Sequence, residues 1–163
     1  MRDGKNQQKY RYIKLKKEER FIEKNQTLLL HTFNEVDKTE GIYSLKYSPG
    51  ARLNLLTSGL SQYRSIQQAQ EGKELIFTQA NFSTFPDIKS THSFKKTNTI
   101  SQANPQQNIY NWGTAELYHW TSLDGQPLEG LLIKPENFDP SKKYPMIVNF
   151  YEQSSDNLYR HHA

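Results

Sequence analysis

A two-residue period runs through nearly every patterned stretch of the chain. Tyr43, Leu45 and Tyr47 alternate with Ser44 and Lys46, and Tyr118 and Trp120 alternate with His119 and Thr121. Successive side chains on a strand point to opposite faces, so this spacing describes strands with one buried face. An amphipathic helix needs apolar residues three and four apart. No long window carries the helical spacing, and only residues 16–24 read as one short helix. β-type runs fall at Tyr10–Leu15, Leu28–Phe33, Ile42–Tyr47, Leu53–Thr57, Glu74–Thr78 and Thr97–Ser101. Turn-forming residues separate them: Ser48-Pro49-Gly50, Ser58-Gly59, Glu71-Gly72, Phe85-Pro86-Asp87 and Ala103-Asn104-Pro105. The expected fold class is therefore mainly β.

Composition limits what these strands can be. Hydrophobic residues are 34% of the 163, below the usual share of a globular domain, yet aromatic residues reach 12%. So many rings exclude a charge-swollen disordered chain. The longest apolar runs, such as Leu28-Leu29-Leu30 and Met146-Ile147-Val148, fall far short of the roughly 20 residues of a membrane helix. The polar N-terminus does not read as a signal peptide. With no cysteine, disulfides, thiolate metal sites and a cysteine nucleophile are excluded. That suits the cytosol and equally a cysteine-free exported protein, so the compartment stays open.

The charge is local. The first 24 residues hold nine Lys or Arg against four Asp or Glu, and the other 139 balance at −1. Lys9, Arg11, Lys14, Lys16, Lys17 and Arg20 form a stripe with Tyr10 and Tyr12 between them. Basic residues interleaved with aromatics can hold phosphates and stack bases. Glu18, Glu19 and Glu23 interrupt the stripe, which reads as a solvated surface with no nucleic-acid partner expected.

A weak repeat links Thr27–Gly59 to Glu74–Asn104, each reading strand, turn, strand, turn, strand. Leu30 matches Phe77 and Ile42 matches Ile88. Four-stranded propeller blades recur at about this spacing of 40–50 residues, and two of them are part of a ring. After Pro105 the pattern changes. Thr114 to Ile133 reads as a hairpin turning at Leu123-Asp124-Gly125, followed by a proline-studded connection from Lys134 to Pro140. Tyr144-Pro145 then leads into Met146-Ile147-Val148-Asn149-Phe150-Tyr151, which reads as a strand buried on both faces of an α/β sheet. Such a strand implies helices and further strands that these residues do not contain.

Together, Trp120-Thr121-Ser122-Leu123-Asp124-Gly125, Leu128-Glu129-Gly130, Lys134-Pro135-Glu136-Asn137-Phe138-Asp139-Pro140 and Lys142-Lys143-Tyr144-Pro145 resemble the prolyl oligopeptidase family of serine peptidases. The likeness is greatest to its dipeptidyl-peptidase and acylaminoacyl-peptidase branches. The resemblance implies partial β-propeller blades over residues 1–106, followed by the first strands of an α/β-hydrolase domain over 107–163. It implies hydrolysis of peptide bonds near the N-terminus of oligopeptides, with a peptide as substrate, no cofactor and no metal. It further implies a Ser-Asp-His triad, whose members would fall beyond Ala163, so that these residues alone are expected to be inactive. No G-x-S-x-G nucleophile elbow occurs in the sequence. One site residue carries over. Tyr151 stands where the dipeptidyl-peptidase branch places a tyrosine hydroxyl in the oxyanion hole, although Glu152-Gln153-Ser154-Ser155 replaces the glycine-rich tail common after it.

Other constellations read as structural. Ser154, Ser155, Asp156, His161 and His162 hold all the triad residue types, but a triad is assembled from separate loops of a rigid scaffold. His161-His162 lacks a third metal ligand. His31, His92 and His119 read as packing or surface residues, and Glu116 and Glu129 as a solvated pair rather than an acid/base dyad. Asn25-Gln26-Thr27 and Asn81-Phe82-Ser83 fit the glycosylation acceptor pattern. The alternative to the peptidase is a non-enzymatic β-rich protein-interaction module. A third reading is nucleic-acid contact by the basic stripe.

Overall fold

The computed structural model describes residues 2–3, 7–16 and 18–162, and Lys17 of the basic stripe lies outside them. The protein is mainly β, built of antiparallel sheets. Strands β1 (Arg2–Asp3), β2 (Gln8–Ile13), β3 (Thr27–Asn34), β4 (Glu40–Lys46) and β5 (Asn54–Gly59) form one meander in chain order. Strands β6 (Gln62–Gln68), β7 (Leu75–Asn81), β8 (Thr84–Thr91) and β9 (Asn98–Thr99) form a second. Strands β10 (Thr114–Thr121) and β11 (Pro127–Lys134) pair as a separate hairpin. Among the described residues no helix is long and apolar enough to cross a membrane.

Alternation decides which residues meet. Leu29 and Ile42 point inward from the first sheet, and Tyr63, Leu75 and Phe77 point inward from the second. They form one shared core with Phe94, and Ile13, Leu15, Leu56 and Ile66 pack at its edge. Phe77 lies 6.2 Å from Tyr63 and 5.2 Å from Phe94, measured between ring centroids. Phe94 is held in a left-handed turn (φ 62°) by Thr91, whose hydroxyl accepts from the Phe94 N–H and donates to the Lys96 carbonyl. At Gly41, an added Cβ would lie 2.9 Å from the Thr57 carbonyl oxygen, so close approach of β5 requires glycine there.

Three expectations are corrected. Residues 18–24 form turns and irregular backbone instead of a helix, because they lack an apolar face to bury. Phe85-Pro86-Asp87 is part of β8, not a turn. The ladder to β7 shifts register between Gln79 and Asn81, and that irregularity accommodates a proline with no N–H to donate. The chain turns instead at Asn81–Thr84, where the Asn81 side chain accepts from Ser83 N–H and Oγ–H. Met146–Tyr151 forms no strand and is exposed throughout. A strand needs a neighbour for its N–H and C=O groups, and no described strand runs alongside.

The repeat survives as topology and fails as residue equivalence. Both meanders have the same strand order, but Ile42 is fully buried whereas Ile88 is 43% exposed on the outer face. The environment of Phe77 is matched by Leu29, not Leu30. Strands β6 and β8 escape sequence patterning because each carries few apolar residues. The 114–133 hairpin forms as expected, with Gly125 at φ 84° in its loop and Trp120 lying over Gly130.

These environments set a stability order. Ile42→Ala and Phe77→Ala should each cost about 3–5 kcal/mol in urea unfolding, and Ile88→Ala about 1 kcal/mol or less. Equal costs for Ile42→Ala and Ile88→Ala would contradict the assignment of faces.

Candidate functional site

Residues opposite one another on paired strands share a face. One such row crosses the first sheet at Arg11, His31, Ile42 and Thr57, and the next at Lys9, Phe33, Glu40 and Gly59. The inward face thus mixes apolar Ile13, Leu29, Phe33 and Ile42 with charged Lys9, Arg11 and Glu40 and with His31. This face opens into a cleft of about 690 Å³ between β2 and β6, which Ile13, Phe33, Tyr63 and Ile66 also line. Asp156 and Asn157 approach it from a short 3-10 helix at Ser154–Asn157.

Glu40 forms the floor of the cleft, with its side chain only 3% exposed. Arg64 donates to both carboxylate oxygens, Nη1 to Oε2 at 2.5 Å and Nη2 to Oε1 at 2.6 Å. The Tyr63 N–H donates to Oε2 at 3.0 Å, and His31 Nε2 at 2.8 Å. A carboxylate only accepts, so His31 carries its proton on Nε2 when it makes this bond. Burial alone would raise the Glu40 pKa. The hydrogen bonds from His31, Arg64 and Tyr63, with the Arg64 charge, outweigh it and hold the carboxyl below its ordinary range. Glu40 is thus ionised with its lone pairs engaged, which makes it an anchor for cations and a poor general base.

A second cluster ties the first sheet to the hairpin. The β3–β4 turn is shaped by Asn34, whose side chain accepts from the N–H groups of Val36 and Asp37. Lys38 takes a left-handed conformation there (φ 63°), and its side chain is buried at 4% exposure. Its ammonium donates to the Glu35 carbonyl at 2.7 Å and to Glu129 at 2.5 Å, and pairs with Asp156 at 3.2 Å. Burial would lower the Lys38 pKa, but Glu129 and Asp156 raise it on balance. Ser155 Oγ donates to the same Glu129 oxygen at 2.8 Å. A lysine held protonated cannot take a proton from Ser155, so this cluster is an ionic clamp and not a Ser–Lys dyad.

The sequence-stated residues are dispersed. Tyr151 is 86% exposed, and its carbonyl accepts from Ser154 Oγ at 3.3 Å. Ser155 and Asp156 serve the Lys38 clamp. His161 stacks on Trp112 at 4.9 Å and donates from Nδ1 to the Phe82 carbonyl. Glu116 pairs with Lys134, so Glu116 and Glu129 have separate partners. His92 pairs with Glu74. Lys9 and Arg11 turn into the cleft, which divides the basic stripe. Sequence reading missed Glu40, Arg64 and Lys38. The available signal was Glu40 two residues before Ile42, a charge at an inward position of a strand. Among the described residues no group of three or more His, Asp or Glu side chains could hold a metal ion. Comparison with known proteins returned no matching family model and no matching curated protein.

Two measurements probe these clusters. Glu40 contributes stability that is present above its unfolded pKa and lost as pH falls through the depressed folded value. Glu40→Gln should therefore cost about 1–3 kcal/mol near neutrality, with the gap to the parent narrowing between about pH 5 and pH 3 in urea titrations. A gap that is constant with pH would contradict the ionised assignment. Lys38→Met leaves two carboxylates without their cation and should cost about 3 kcal/mol. Combined with Glu129→Gln in a double-mutant cycle, it should show coupling of about 1 kcal/mol or more.

Proposed function

We propose that these residues belong to a serine peptidase of the prolyl oligopeptidase type, as the end of its propeller and the start of its hydrolase domain. Residues 1–106 supply two successive meanders with a common core, an arrangement compatible with neighbouring blades. Residues 107–163 carry the Lys-Pro linker, the Tyr-Pro step and the apolar run. The observation that carries the reading is that run. Ile147 is 98% exposed, and Met146, Val148, Phe150 and Tyr151 are exposed with it. Soluble proteins rarely leave such a run bare, and a hydrolase sheet would give it strands on both sides and helices over both faces. The activity would be acyl transfer to a serine outside these residues, followed by hydrolysis near the N-terminus of an oligopeptide. Tyr151 would then aim its hydroxyl at the developing oxyanion.

A second reading rests on the same exposed surface. Tyr118, Trp120, Leu128 and Ile133 on the hairpin are also exposed, as a non-enzymatic interaction module would need.

The test uses the native polypeptide, captured from its source cells with an antibody against this chain and treated with a fluorophosphonate probe. The peptidase reading expects covalent labelling at a serine outside residues 1–163. An unlabelled native polypeptide would overturn it in favour of the interaction module.

A further inference from the structure

Edge strands invite pairing, and natural sheets guard them with charge, proline, shortness or side-chain cover. Most edges here are guarded. β1 and β9 are two residues each, and β2 carries Lys9 and Arg11. The hairpin has Glu116 and His119 on β10, and Pro127, Glu129 and Lys134 on β11. The free side of β6 is closed by side chains. Glu40 accepts from the Tyr63 N–H at 3.0 Å, and Arg64 Nη1 donates to the Tyr63 carbonyl at 2.9 Å. β5 is the exception. It ends the first sheet, and Asn54-Leu55-Leu56-Thr57-Ser58-Gly59 holds no charge and no proline. Among the described residues its backbone bonds only to β4.

The register of β5 decides what can join it. A strand pairs with its own copy antiparallel, about a two-fold axis that preserves the two faces. Full overlap sets Asn54 opposite Gly59, Leu55 opposite Ser58 and Leu56 opposite Thr57. In a regular strand of 6 residues those opposites would lie on different faces, and the pairing would turn inward residues outward. The bulge removes this conflict. Leu56 is the extra residue between Leu55, opposite Tyr43, and Thr57, opposite Ile42. Leu55 and Ser58 therefore share the outer face with Tyr43 and Gly41. Asn54, Thr57 and Gly59 share the inner face with Ser44, Ile42 and Glu40, and Leu56 packs toward the core. Every opposite pair then matches in face. The lack of charge spares identical strands the repulsion they would otherwise impose on each other. Surface is available as well. The chain exposes 12544 Å², against roughly 8,400 Å² for a folded monomer of 19.1 kDa.

We propose that β5 pairs with β5 of a second copy, joining two first sheets into one continuous antiparallel sheet. The two-fold axis uses up both edges, so the product is a closed dimer and not a fibre. No residue of the Lys-Pro linker, the apolar run or Tyr151 takes part, so the inference is independent of the peptidase reading.

Sedimentation equilibrium of the full chain between about 10 μM and 1 mM should show reversible association of monomer to dimer. The double variant L55K/S58K sets lysine opposite lysine across the axis, and L55E/S58E sets glutamate opposite glutamate. Each should weaken association about tenfold or more, and their equimolar mixture should restore it. Leu55 is 50% exposed and Ser58 is exposed, so both variants should keep the parent's melting temperature in dilute solution. Amide hydrogen exchange of the parent gives a readout that needs no variant. Protection over residues 54–59 should rise with protein concentration, while that over β6 should not. A chain that stays monomeric, a dimer that L55K/S58K leaves intact, a mixture no tighter than either variant alone, or exchange independent of concentration would overturn the proposal.

Discussion

A single buried carboxylate links the two sheets. Glu40 comes from β4 of the first meander, and its strongest partner, Arg64, comes from β6 of the second. An isolated carboxylate at that depth would be untenable, so the position of β4 is conditional on β6 delivering a guanidinium and the Tyr63 N–H together. The apolar core of Leu29, Ile42, Phe77 and Phe94 supplies most of the burial free energy but little directional information. The Glu40 network supplies direction, because two parallel N–H···O bonds fix the relative placement of the strands that carry them.

The same logic extends outward through Lys38. Its turn grows from Asn34 at the end of β3, and its ammonium reaches Glu129 on the hairpin and Asp156 near the C-terminus. Residues 107–163 therefore dock on the first sheet through charge and on the second through rings. The rings contribute at Trp112, whose indole N–H donates to the Phe82 carbonyl at 2.7 Å while its face carries His161. Between these two anchorages the chain passes through Met146–Tyr151, which is exposed throughout. The contrast between anchored ends and a bare apolar middle is what a peptidase sheet, or a partner, would have to resolve.

The sequence made the strand class legible because alternation is a local property. Tyr43-Ser44-Leu45 and Tyr118-His119-Trp120 declare their faces without reference to anything distant. The hairpin loop was legible for the same reason, since Asp124-Gly125 carries its own turn chemistry. Strands β6 and β8 were not, because Gln62-Tyr63-Arg64-Ser65 and Phe85-Pro86-Asp87 owe their extended state to ladder partners in β7. The cleft was the least legible feature. Glu40 and Arg64 are 24 residues apart, Lys38 and Glu129 are 91 apart, and nothing local marks either pair. The basic stripe misled for a related reason. Its members alternate faces, so Lys9 and Arg11 enter the cleft while Tyr10 packs on the opposite face at 5.9 Å from Tyr43.

The polarity of the cleft is itself informative. A purely structural junction between two sheets is served at least as well by well-packed apolar residues, since ion pairs give back in desolvation much of what they gain in attraction. Here the inward face of the first sheet sets polar and charged residues beside Ile42 and Phe33 in the same rows. There Arg11, His31, Lys9 and Glu40 replace the expected aliphatics. Glu40 neutralises Arg64 and orients His31, so the ions at this junction are arranged in pairs with defined geometry.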